Sequence, residues 1–174
     1  GDVQYSSDIF TKWSVEEKKT IGIHEVVFDD SNKKDEQWYI NTNQSFAFAN
    51  DTVTASYGSA TAKAHADANA TDADGADLDP VVVIEGLKTT LIRTVKAQAA
   101  GILANTDWYI TRNAEKSTAI PSAITTHRDL VRSRQVSIEA QITGAADTAA
   151  LETLHTYTTT DGVQSRPLGE LPVL

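Results

Sequence analysis

The residues able to do chemistry are few and scattered. The four histidines are His24, His65, His127 and His155, placed on a strand, a linker, a helix and a helix end of the reading developed below. No two share the spacing that puts a pair of imidazoles on one helix face for a metal. Cysteine is absent, which removes thiolate metal sites, disulfides and cysteine nucleophiles. The acidic stretch from Asp72 to Asp79 contains Asp72-Ala73-Asp74-Gly75, which invites a calcium-loop reading. With Gly75 at the sixth loop position, the first and twelfth positions are Ala70 and Val81, so both required carboxylates are missing. A solvated loop is the plainer reading. No glycine-rich phosphate loop and no nucleophile elbow occurs. The carboxylates are numerous, but none lies in a context that marks it as a perturbed acid or base. The expectation is a non-enzymatic chain with no catalytic residues, cofactor or metal.

Aromatic residues concentrate in the front part: Trp13, Trp38, Tyr39, Phe46, Phe48 and Tyr57. Such side chains serve as sugar platforms or interface anchors, and in a small sheet they more often form its core. The sequons at Asn43, Asn50 and Asn69 are chance matches in an Asn- and Thr-rich chain. The net charge of −9 opposes nucleic-acid binding, which needs a basic stripe. Arg128, Arg132 and Arg134 form the richest basic stretch, and read as a solvated helix face. No apolar run approaches the roughly 18–20 residues that span a bilayer. The first ten residues lack the basic start and apolar core of a signal peptide. These features set the expectation of a soluble intracellular product, or part of a particle assembled in a cell.

The elements that would position these residues follow from pattern. Residues 1–12 have no period and are expected as an arm. Ser14-Val15-Glu16-Glu17 fits a capping box with Trp13 as its staple, predicting a short helix over 14–20 that ends at Gly22. Residues 13–58 form a small antiparallel β-containing unit: strands at 23–28 and 37–41, then alternation of Phe46, Phe48, Val53, Ala55 and Tyr57 about an Asn50-Asp51 turn. Residues 59–82, rich in Ala, Asp and Thr, read as an acidic linker or loop, with 60–68 a weak helix. Ile84, Leu87, Leu91, Val95, Ala99, Ile102 and Leu103 recur at helical spacing. Asn105-Thr106-Asp107 interrupts them, with Asp107 as a cap. Pro121 starts a second helix, in which Ile124, Val131 and Ile138 repeat every seven residues, with Leu130 and Ile142 widening the stripe. Gly144 stops it, and Asp147 starts a last helix over 147–156. This gives a helical hairpin unit over 83–157 and an extended tail over 158–174. The class is α+β. Packing or interface candidates are Trp13, Trp38, Tyr39, Leu91, Val95, Trp108, Pro121, Val131 and Ile138.

The run from Ile102 to Arg112 (ILANTDWYITR), followed by Glu115, Ala119-Ile120-Pro121 and His127-Arg128-Asp129-Leu130-Val131-Arg132, resembles the helical hairpin of tailed-phage tail-fibre assembly proteins. The chain is also similar to virion proteins of marine tailed phages, in which a segment like Trp13-Ser14-Val15-Glu16-Glu17-Lys18 and a strand like Trp38-Tyr39 precede the hairpin. The likeness covers 84–142 and, more loosely, 13–40. It implies a virion accessory subunit of tail, fibre or capsid, located in the particle and assembled in the host cytoplasm. Its partners would be other virion proteins and copies of itself, with no nucleic acid and no membrane. A tail-fibre assembly chaperone and a glycan-binding surface module are the alternatives. Within the hairpin, Trp108 is expected to wedge between the helices and Arg128 or Arg132 to pair with Glu115. The Pro- and Gly-containing tail departs from the chaperone pattern, whose members end soon after the hairpin.

Overall fold

A computed structural model describes residues 3–42 and 44–174. The sequon at Asn43 and the first two residues of the expected arm lie outside the described residues. The fold is α+β, and the chain divides into two units, residues 1–62 and 63–174.

In residues 1–62, α1 (Ile9–Lys12) lies within the stretch expected as an arm, and Ile9 is buried. The capping box forms as read: in α2 (Val15–Lys19) the Glu17 amide donates to Ser14 Oγ at 3.2 Å and the Ser14 amide donates to Glu17 Oε2 at 2.8 Å. The Ser14 amide, with the Ser14 hydroxyl donating to the same oxygen at 2.8 Å, holds the Glu17 carboxyl below its usual pKa. Gly22, at φ +81°, ends the helical segment. A three-stranded sheet follows, in the order β1 (Val26–Asp29), β4 (Thr52–Ser56), β3 (Ser45–Ala49). β3 and β4 form an antiparallel hairpin whose turn residues, Asn50 and Asp51, both have positive φ, as a type I′ turn requires. The strand β1 runs parallel to β4, so the expectation of a wholly antiparallel unit is corrected. Alternation cannot reveal this, because it fixes which face a side chain takes and not strand direction. A separate pair, β2 (Tyr39–Ile40) with β5 (Thr61–Ala62), is antiparallel and holds the buried Tyr39.

In residues 63–174, the stretch expected to continue the linker is tied down. β6 (Ala68–Asn69) pairs with β7 (Val83–Ile84), and Thr71 bridges Asp77. No helix forms over 60–68; Ala and polar residues without an apolar stripe give a helix nothing to bury. The helices α3 (Leu87–Ala104) and α5 (Ser122–Gly144) pack together, with α4 (Asp107–Lys116) between them in sequence. The core is Val95 and Ala99 of α3 against Ile124, Val131, Ile138 and Ile142 of α5. The heptad reading therefore holds, except that Leu130 is exposed and Ile84 belongs to β7. Asp147 caps α6 (Thr148–His155), its carboxylate accepting from the Ala150 amide at 2.8 Å.

The tail expected to be extended instead folds back. β8 (Thr158–Thr160) and β9 (Val163–Ser165) make a hairpin about Asp161-Gly162, both at positive φ, and Leu168 beyond it is almost fully buried. Among the described residues, no helix is long and apolar enough to cross a membrane.

Candidate functional site

Three built features lie in residues 63–174. The first is a joint among three helices. Arg128 of α5 is buried, at 7 % exposure. Its Nη1 donates to the Leu103 carbonyl at the end of α3 (2.8 Å) and to Thr106 Oγ1 at the N-cap of α4 (2.7 Å). The same nitrogen lies 2.8 Å from the carboxylate of Asp107, the first residue of α4. A guanidinium suits this position because it keeps its charge and directs donors in a fixed fork. The expected partner, Glu115, is not used, and Arg132 pairs with Asp129 on its own helix. Asp107 consequently does not cap α4: the N-cap is Thr106, and its hydroxyl donates back to the Leu103 carbonyl.

The second is a non-local cap on α3. The Asp67 carboxylate accepts from the Gly86 amide (2.7 Å) and from Thr89 Oγ1 (2.8 Å), while the free Leu87 and Lys88 amides at the start of the helix donate to the Ala64 and His65 carbonyls (3.0 Å each). The Gly86 bond is the main cause of a carboxyl pKa below the usual value. Gly86 is needed for contact, since a Cβ there would lie 2.4 Å from the Ala66 carbonyl carbon. In sequence these groups are too far apart to be recognised as a cap.

The third is a latch on the C-terminal segment. Arg134 of α5 donates to the carbonyls of Leu168 (2.7 Å) and Glu170 (3.2 Å), and the Leu168 amide donates to Leu154. Gly169, at φ +68°, lets the guanidinium approach; a Cβ there would meet Arg134 Nη2 at 1.6 Å. The segment closes one side of a groove of about 600 Å³ against α3, with Gln98, Gly101 and Asn105 opposite Tyr157, Arg166 and Glu170. Arg166 pairs with Glu170, and the Tyr157 hydroxyl donates to Glu170, which raises the phenol pKa.

In residues 1–62 the notable feature is exposure. The strand register places Val26, Phe28, Phe46, Phe48, Val53 and Ala55 on one face of the three-stranded sheet. Ala55 at its centre is buried, but Phe28, Phe46 and Phe48 are 65 %, 63 % and 59 % exposed. The His24 ring leans on Phe48, with centroids 4.4 Å apart. Phe46 and Phe48, expected in a sheet core, thus face outward, because among the described residues of this unit no second layer covers that face.

The packing candidates divide accordingly. Trp38, Tyr39, Val95, Val131 and Ile138 are buried, Leu91 and Trp13 are half-buried, and Pro121 is exposed. Trp13 meets the Tyr5 ring edge-on at 5.8 Å. Trp108 is not a wedge: half of it is exposed, and it stacks beside Tyr109 with the Arg112 guanidinium 4.7 Å from its ring. The α3–α5 seam is filled by Val95, Ala99, Ile124, Val131, Ile138 and Ile142, and the joint beside α4 by Arg128. His127 is buried on α5, and His155 Nδ1 lies 2.8 Å from the Leu151 carbonyl. Burial lowers the pKa of His155. Asp72 is engaged locally, accepting from the Asp74 and Ala76 amides in an Asx turn. Among the described residues, no three His, Asp or Glu side chains converge as a metal site would need.

No protein-family model matches the chain, and neither a curated protein nor a solved structure matches it.

Proposed function

We propose that the chain is a non-enzymatic structural or accessory subunit of a phage particle, on its tail, fibre or capsid, acting through protein–protein packing. The observation that carries this reading is the use made of the residues behind the phage-protein resemblance. Thr106, Asp107 and Arg128 of that motif are spent on joining α3, α4 and α5. A motif used in this way supports a packing role, since these three residues join helices. The exposed phenylalanines of the sheet supply the surface that such a subunit requires. Other virion proteins and further copies of the chain are the partners this implies.

A tail-fibre assembly chaperone is the second reading, favoured by the exposed Trp108-Tyr109-Arg112 patch on α4. Trp, Tyr and Arg dominate binding hot spots, and such a patch fits a transient partner. A glycan platform built on Trp38 and Tyr39 is disfavoured by their burial.

The test is quantitative mass spectrometry of gradient-purified particles from the source culture, counting copies against the major capsid protein. Many copies per particle are expected. Absence from washed particles, with abundance in the lysate, would overturn the subunit reading in favour of the chaperone.

A further inference from the structure

We propose that two copies of this chain pair through the free edge of β3, antiparallel and centred on Ala47, to make one continuous six-stranded sheet. The inference depends only on the geometry of residues 45–56 and stands whether or not the chain resides in a particle.

β3 ends the sheet, with β4 on one side and, among the described residues, no strand on the other. All five of its residues are exposed. Natural edge strands are usually protected by a lysine, a proline, a bulge or a covering element. Ser45-Phe46-Ala47-Phe48-Ala49 has no charge and no proline, and its register with β4 is unbroken.

The hairpin fixes which backbone groups remain free. In a two-residue turn with positive φ at both positions, the flanking pair exchanges both ladder hydrogen bonds. That pair is Ala49 and Thr52. Alternation then directs the Ala47 and Ser45 backbone groups toward β4, and those of Phe46 and Phe48 outward. A two-fold axis at Ala47 sets Phe46 of each copy opposite Phe48 of the other. The outward N–H and C=O groups of these residues then bond to each other in both directions. The same register places the rings on one face as cross-strand aromatic pairs, among the favourable pairings in sheets.

Charge permits this pair. β3 carries none, and the nearest acidic residue, Asp51, lies beyond its end. In the two-fold arrangement the two Asp51 side chains are on the order of 25 Å apart at about 3.4 Å per residue, outside the ~10 Å Debye length at moderate salt. Area sets the strength. Phe46 and Phe48 flank the seam, while Phe28 on β1 lies beyond β4; the two seam rings expose on the order of 200–300 Å² per copy, since a phenylalanine has about 150–250 Å² to bury. Two copies therefore bring together at most about 400–600 Å² from these rings, well below the about 1,200 Å² of standard interfaces. The pair is a weak, concentration-dependent dimer of isologous symmetry.

The chain has no cysteine, which permits a test of register. At the axis, residues facing each other form a non-hydrogen-bonded pair about 4.5 Å apart at Cα, a span that a disulfide bridges. Full-length Ala47→Cys, oxidised with copper phenanthroline, is expected to cross-link to a covalent dimer in preference to Ala49→Cys, whose residue faces Ser45 of the other copy. Sedimentation of the unmodified chain should show an average mass rising with concentration from 18.8 kDa toward twice that value. Ala47→Lys should weaken association more than about tenfold, because like charges then oppose each other at the axis. An equimolar mixture of Ala47→Lys and Ala47→Glu should restore it. An 18.8 kDa species at every concentration, equal cross-linking of the two cysteine variants, or a dimer unaffected by Ala47→Lys would each overturn the proposal.

Discussion

In residues 63–174 two facing helices bury a shared apolar seam, whereas in residues 1–62 the three-stranded sheet leaves its phenylalanines on the surface. In the former, nine apolar side chains from Val95 to Leu168 are buried, and the C-terminal segment is drawn in by Arg134. In the latter, the described buried apolar residues are Ile9, Trp38, Tyr39 and Ala55, while three phenylalanines of the sheet lie open. The difference follows from how each element type hides a surface. Two helices with narrow stripes cover one another. A single three-stranded sheet has a face that needs a second layer and edges that need further strands. The helices of one unit cover each other, and the sheet of the other leaves a face and an edge open.

The sharpest way to break this contrast is to damage the closed unit. Ile142→Ala should cost about 2–5 kcal/mol, as for other buried isoleucines, seen as a lower midpoint of denaturant unfolding. Arg128→Ala should cost about 2–4 kcal/mol, because the Leu103 carbonyl and Thr106 lose a charged donor. Asp107, mostly exposed, is rehydrated and adds little. Gly169→Ala should cost more than about 1 kcal/mol, since the residue sits at positive φ against Arg134. It should also raise the protease sensitivity of the C-terminal segment.

A smaller effect comes from pH. Burial holds His155 below its ordinary value of 6.5, so the unfolded chain takes up a proton more readily than the folded one. The stability this gives residues 63–174 is fully present above pH 6.5 and is lost as the pH falls through that value toward the folded pKa. Melting on either side of pH 6.5 should show the loss, and His155→Gln should flatten it. Trp108→Ala, in contrast, should change stability by less than about 1 kcal/mol, since the ring is half exposed and outside the α3–α5 seam. A loss of about 3–5 kcal/mol would restore the wedge that sequence alone suggests.

The features legible in the sequence are those determined locally. The Ser14–Glu17 box, the Asp147 cap and the Asn50-Asp51 turn each depend on neighbours within four residues. The stripe of Ile124, Val131 and Ile138 was legible because a seven-residue repeat fixes a helix face. What escaped is set by tertiary geometry: the parallel pairing of β1, the Asp67 cap on α3, and the choice of Asp107 over Glu115 by Arg128. The folded tail carries a local signal of its own. Asp161-Gly162 between two β-prone triplets is a strong hairpin pair. The exposed phenylalanines had none, because alternation reports a shared face without saying whether anything covers it.

The contrast between the closed and the open unit is tested most directly by hydrogen exchange, read by mass spectrometry on the full chain at low and high concentration. That contrast predicts slow, concentration-independent exchange in α3 and α5, with β3 exchanging fast when dilute and becoming protected as concentration rises. Equal protection of β3 at every concentration, at the level of the helices, would show that residues 1–62 need nothing from outside, and would contradict it.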